Sequence, residues 1–261
     1  MSTVLNAWNS GVLAARHPRS TIKFLTGDKE DLQEVFLRDD VTELLAQSIG
    51  ELDPTLEQDL STMNDFGKTI WKRLEAVGMR WKPLKKIECN YLYLLCRAIK
   101  PRHVVETGVQ NGLSSIYILK ALHENKYGTL HSIDLPNSEY KSKIGRIADK
   151  LARESECGWL VPEELRGRWR LLLGDSRQLL PSLLEDLGDI DIFLHDSEHT
   201  YKMMMFEYSL AWKHLRQSGV LISDDIDLSD AFHDFFLRSG SKGDVRYLGK
   251  GMPKMAAVLK T

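Results

Sequence analysis

From residue 86 onward the spacing of apolar positions switches repeatedly between two periods. Over 87–99 they return at three- and four-residue steps, which predicts a helix with a thick apolar face, stopped by Lys100-Pro101. Short apolar runs then predict strands at 103–107, 129–133, 169–173, 191–195 and 220–223. Between them, helical spacing predicts helices over 113–123, from about 136 to 152, over 176–187 and over 200–216. Five such alternations specify an α/β fold, a doubly wound parallel sheet with right-handed crossovers. The end of the chain departs from this. Ser229 is placed to cap a helix running to Leu237, and the runs 244–248 and 254–260, joined by the Gly-rich GKGMP, predict a hairpin, so one strand must be antiparallel. Residues 1–85 lack the alternation and read as an N-terminal helical extension, most periodic over 41–49 and 66–77. That extension either packs against the core or a partner subunit, or roofs a pocket. The expected division is 1–85 as extension and 86–261 as the α/β domain. Residues 153–167, rich in Glu, Gly and Trp, read as an inserted loop.

Composition narrows the classes. Lysine and arginine number 35 against 37 aspartate and glutamate, so no net field favours nucleic acid as a partner. Three cysteines without CxxC spacing fit reduced thiols in a cytoplasmic protein better than a disulfide framework. No apolar stretch approaches the length of a membrane span, so no membrane partner is expected.

The chemistry gathers at predicted strand ends, where open α/β sheets bind ligands. The run Asp191-Ile-Phe-Leu-His-Asp-Ser-Glu-His-Thr-Tyr201 carries His195, Asp196, Glu198 and His199 straight off an apolar strand, and Ser223-Asp224-Asp225 follows the next. Oxygen donors from two neighbouring strands, Asp196 with Asp224 and Asp225, suit a hard divalent cation such as Mg²⁺. Taken singly, Asp224 also suits a helix cap and Asp225 a surface ion pair; His195 suits a supporting hydrogen bond and Glu198 a solvated helix start. At the first strand end, Glu106, Gly108 and Gly112 form an ExGxxxG turn, which is not the GxGxxG of a pyrophosphate site. A carboxylate beside such a turn favours a cation or hydroxyl groups, as at the methionine end of S-adenosylmethionine. Asp134 ends the second strand, where an acid accepts from ribose hydroxyls. Asp175 and Ser176 end the third, placed to bond an adenine amine and a ring nitrogen; Asp175 equally suits a helix cap.

Taken together, VETGVQNGLSS, HSID, LLGDS, DIFLHDSEHTY and GVLISDD, each at its strand end, resemble the class I S-adenosylmethionine-dependent methyltransferases over about two-thirds of the chain. The resemblance implies a Rossmann-like seven-stranded sheet of order 3-2-1-4-5-7-6 with strand 7 antiparallel, and it adds Ser114 to the cofactor-binding set of Glu106, Gly108, Gly112, Asp134, Asp175, Ser176 and Asp196. The acidic loops are similar to those of the metal-dependent O-methyltransferases of the catechol and macrocin types, with Asp196 and Asp224 28 residues apart. This implies Asp196, Asp224 and Asp225 as metal ligands, Asp196 and His199 as catalytic residues, and a small oxygen-rich substrate. His199 stands where the catechol type has lysine. A homodimer is also implied by the habit of the family. Open alternatives are a metal-independent N- or C-methyltransferase, a nicotinamide-dependent oxidoreductase, and a silent module binding a protein through residues 1–85. The HDSEH element also resembles proteins described as cephalosporin hydroxylases, whose sheet is of the same kind.

Overall fold

The computed structural model describes residues 55–76, 84, 86–135, 157–237, 244–248 and 254–261. The expected elements at 41–49 and 136–152, and the GKGMP link, lie outside the described residues. In chain order the described elements are α1 (Thr55–Ala76), α2 (Lys86–Ile99), β1 (His103–Thr107), α3 (Leu113–Asn125), β2 (Thr129–Asp134), β3 (Trp169–Leu173), α4 (Ser176–Leu187), β4 (Ile190–His195), α5 (Tyr201–His214), β5 (Leu215–Ser223), β6 (Asp244–Leu248) and β7 (Met255–Leu259). The sheet order is β3-β2-β1-β4-β5-β7-β6, as the resemblance implied. β1 through β5 pair in parallel, and β7 runs antiparallel to both β5 and β6. Among the described residues no helix is long and apolar enough to cross a membrane.

Both faces of the sheet are buried, so the strands read as near-continuous apolar runs whose side chains alternate between two cores. Val104, Leu130, Ile192, Leu194, Val220 and Ile222 join the core formed with α1, α2 and α3. Val105, Ile133, Phe193, Leu221 and Val258 join the other, with α4, α5 and the aromatic turn around Phe232, Phe235 and Phe236. This alternation fixes where the polar residues at each strand end must point. Glu106 and Ser132 fall on the α3 side; Thr107, His195 and Ser223 fall on the α5 side.

Two elements differ from the sequence expectation. β5 begins at Leu215 rather than 220, because Leu215 pairs with Ile190 before the register shifts and Val220 pairs with Ile192. Ser218, with φ 59°, bends the chain there, and Gly219 leaves room for the carbonyl of Asp191, which a Cβ would approach to 3.0 Å. The inserted loop is tightly packed over its described part. Gly158 N–H donates to Gln110 O at 2.9 Å and Leu160 N–H to Asn111 O at 3.0 Å, and a 3₁₀ turn, Glu163–Arg168, leads into β3.

Candidate active site

The strand ends are stitched in a row. Asp196 N–H donates to Thr107 O and Asp224 N–H to His195 O, both at 2.9 Å, and Gly108 N–H donates to Ile133 O at 2.9 Å. The first and fourth strands' loops touch at Gly108. Its φ is +85°, and a Cβ there would lie 1.9 Å from the carbonyl oxygen of Asp196, so only glycine fits.

On the α3 side, Glu106 is fully buried and enclosed by three serines. Ser114 donates to one carboxylate oxygen, while Ser115 and Ser132 donate to the other at 2.6 and 2.7 Å. Burial pushes its pKa up, although the three hydroxyls oppose the shift. The carboxylate expected to meet a cofactor ammonium thus already holds Ser114, which secures the start of α3 to β1. Gly112, φ +88°, precedes α3 and lies against Gly158 and Val161 of the packed loop. Asp134 ties the same loops: its Oδ2 accepts from Gln110 N–H at 2.7 Å and from the Cys157 thiol at 3.2 Å, and its Oδ1 from Leu135 N–H at 2.8 Å. At the third strand end the helix-cap alternative is realised: Asp175 caps α4 through Arg177 N–H at 3.0 Å. The Ser176 hydroxyl turns inward and donates to Glu207 at 2.6 Å, away from the place of a base.

The fourth and fifth strand ends bring the acids together around His199. Its Nε2 lies 3.7 Å from Asp196 Oδ1 and its Nδ1 3.9 Å from Asp225 Oδ2. Burial, reinforced by the neighbouring His195, lowers the His199 pKa to about 4, so the imidazole is neutral at physiological pH. Burial and then the charges of Asp224 and Asp225 raise the Asp196 pKa well above the carboxylate range. Asp224 is pushed up to about 8 by burial and by Asp225. Asp225, with φ 45°, accepts from Lys254 Nζ at 3.2 Å.

Three carboxylates are the right donors for a hard cation, and burial followed by their like charges accounts for the upward shifts of Asp196 and Asp224. As placed, however, they do not close into a metal site. Among the described residues no group of three or more His, Cys, Asp or Glu is arranged to hold an ion, and Lys254 already engages Asp225.

Sequence reasoning missed three residues here: Lys254, Glu88 and Glu207. Glu88, 2% exposed in α2, adds charge beside Asp224. Glu207 is fully buried beneath His195. A signal for Glu207 was present, since Met203, Met204, Tyr208 and Ala211 mark the buried face of α5 and position 207 falls on it.

Residues 105–226 match the family model for a methyltransferase domain. Solved structures of similar shape include an O-methyltransferase from Bacillus cereus in complex with S-adenosylhomocysteine, with TM-score 0.50 and 16% identity over 84% of this chain and 97% of that one. The O-methyltransferase TomG from Streptomyces achromogenes, involved in tomaymycin synthesis and solved with S-adenosylmethionine, gives 0.51 and 17% over 85% and 96%. Cofactor-bound Rv0187 from MTB gives 0.53 and 16% over 84% and 94%. A search of the curated proteins finds no match to this sequence. Residues 105–226 thus match a methyltransferase domain, and the sheet has the strand order of the class I methyltransferase fold. Within that class the structural likeness is to O-methyltransferases, at identities that speak for the fold.

Proposed function

We propose that the protein transfers the methyl group of S-adenosylmethionine to a hydroxyl of a small oxygen-rich molecule. The observation that carries this reading is His199, a neutral, largely buried imidazole set between Asp196 and Asp225 where β4 and β5 end. A base that is neutral before the reaction can take a hydroxyl proton, and the charge of Asp225 offsets part of the burial that works against the imidazolium. The oxygen freed of its proton attacks the methyl carbon of the sulfonium, forming the O–C bond as the C–S bond breaks and S-adenosylhomocysteine leaves. The chain's part is to hold the two reactants in line. The cofactor would lie along β1, β2 and β3, against the Gly108 turn and Asp134, with the acceptor over β4 and β5.

A divalent requirement is supported by donor type alone, so no step is drawn through an ion. A second reading, transfer to an amine without metal, is favoured by the excess of acids over Lys254 in the cluster, which suits a cationic group.

Thermal unfolding with S-adenosylhomocysteine, Mg²⁺ and both tests these readings. A ligand at about 100 times its dissociation constant adds ~2.7 kcal/mol to folding stability, a clear rise in melting temperature. Stabilisation by S-adenosylhomocysteine is expected; its absence overturns the transferase reading. A further rise with Mg²⁺, lost in Asp196→Ala, would establish the ion. With a hydroxylated acceptor in hand, His199→Ala should slow methyl transfer while cofactor affinity is kept, and an unchanged rate would remove His199 as the base.

A further inference from the structure

Lys254 stands where the sheet itself puts it. β7 runs antiparallel to β5 with Ser223 opposite Ala256, so two residues further along Asp225 and Lys254 fall opposite one another. Ile226 N–H donates to Lys254 O at 2.8 Å, which holds the two segments together beyond the last ladder pair. The Lys254 ammonium donates to Asp225 Oδ1 at 3.2 Å. Cross-strand register therefore builds this ion pair, as it does for opposite charges within a ladder. Asp227 and Asp224 add their charges to the same ammonium. The other oxygen of Asp225 is faced as well. Its Oδ2 lies 3.9 Å from His199 Nδ1, and the second nitrogen of that ring lies 3.7 Å from Asp196 Oδ1. The two carboxylates thus face two sides of one imidazole rather than a common point.

We propose that Lys254 is the resident cation of the strand-end acids, and that Asp196, Asp224 and Asp225 take up a divalent ion only by displacing its ammonium from Asp225. The reason is competition for one carboxylate. An ion of the Mg²⁺ kind binds carboxylate oxygens at about 2.0–2.1 Å and demands near-octahedral order around it. Brought to Asp225, it meets the ammonium as a like charge, which opposes it even at the high effective dielectric of a half-exposed site. The lysine therefore sets how readily the cluster accepts a divalent cation: weakly while the ammonium is paired, and more tightly once that charge is removed. Because register and the Ile226 bond fix the backbone of Lys254, its side chain returns to Asp225 whenever the carboxylate is free. This assignment concerns the acids themselves and does not rest on the methyl-transfer reading.

The test is Mn²⁺ binding to the full chain, read from the electron spin resonance signal of the free ion, with Mn²⁺ standing in for Mg²⁺ at oxygen donors. Lys254→Met removes the charge from a side chain that is 51% exposed and keeps the backbone bond to Ile226, so the fold should be retained. The variant should hold Mn²⁺ roughly tenfold tighter than the wild type, or more. Lys254→Gln, a second uncharged variant, should do the same, and Lys254→Arg should not. Adding Asp224→Asn to Lys254→Met should abolish the gain. Equal Mn²⁺ affinity in the wild type and both uncharged variants overturns the proposal, and so does a gain that survives Asp224→Asn, which would place the ion elsewhere. S-adenosylhomocysteine titrated into the same samples separates this idea from the transferase reading. The gain in Mn²⁺ affinity without nucleoside binding overturns that reading alone, and nucleoside binding without the gain overturns the role of Lys254 alone.

Discussion

At Gly108 one missing carbon lets two strand-end loops meet. A Cβ there would sit 1.9 Å from Asp196 O, a backbone atom that cannot swing aside, at a φ of +85° that costs an L-residue roughly 1–2 kcal/mol by itself. Gly108→Ala should therefore lose more than ~2 kcal/mol in urea unfolding and bind S-adenosylhomocysteine more weakly, because Asp196 must retreat. A variant of wild-type stability and affinity would show that the loops do not touch. This glycine was legible as part of a turn, and the strand-end acids were legible as a set. What each acid does was less so. The sequence places Glu106, Asp134, Asp175 and Ser176 at the ends of strands, yet it does not show that serines enclose the first, loop N–H groups hold the second, Arg177 N–H takes the third and Glu207 the fourth. Those are contacts between segments far apart in the chain, and periodicity carries no information about them.

Among the elements, α1 tests how far the helical extension belongs to the sheet's core. Its Met63, Ile70 and Leu74 are buried in the same cluster as α2, α3 and β1, and Asp59 accepts from Arg97 Nε of α2 at 2.8 Å. Ile70 is 2% exposed, so Ile70→Ala leaves a cavity and should cost ~2–5 kcal/mol of unfolding free energy. A loss below about 0.5 kcal/mol would mean that α1 is not seated there. The helix was legible from its spacing over 66–77, although its start at Thr55 was not. The two elements that departed from expectation did so for related reasons. Arg216-Gln-Ser-Gly looks like a turn, and at Ser218 and Gly219 it is bent, but backbone pairing of Leu215 with Ile190 carries the strand through it. The Glu- and Gly-rich stretch before β3 looks like a loose insertion, yet Gly158 packs on the ring of Trp169 and hydrogen-bonds the β1–α3 turn. Backbone partners outside the local window decided both.

Over the whole molecule, ionisable groups with opposite pH signatures sit on different strands of the sheet. His131 of β2 lies 5.5 Å from His103, ring to ring, and is paired in register with Arg170. Burial, then the charges of His103 and Arg170, lowers its pKa to about 4. Between pH ~6.5 and ~4 the unfolded chain therefore binds a proton here that the folded one refuses, so this histidine's contribution is complete above ~6.5 and is lost as pH falls through ~4. Asp224, raised to about 8, has the reverse sign: the folded state keeps a proton that the unfolded chain has released above ~4, and stability declines as pH rises toward 8. His199, also lowered to about 4, adds to the first slope and Asp196, also raised, to the second; the two oppose one another between pH ~4 and ~6.5, and above ~6.5 the acids' alone continues. Urea midpoints measured from pH 4 to 8 should be nearly level or weakly rising in the lower half and fall in the upper half. His131→Gln removes only the histidine's part, so its midpoint should fall with rising pH from ~4 onward and run parallel to the wild type above ~6.5. Asp224→Asn should make the upper limb shallower, Asp196 supplying what remains of it. A His131→Gln profile parallel to the wild type over the whole range would show that His131 ionises freely, and would break its assignment to the first slope.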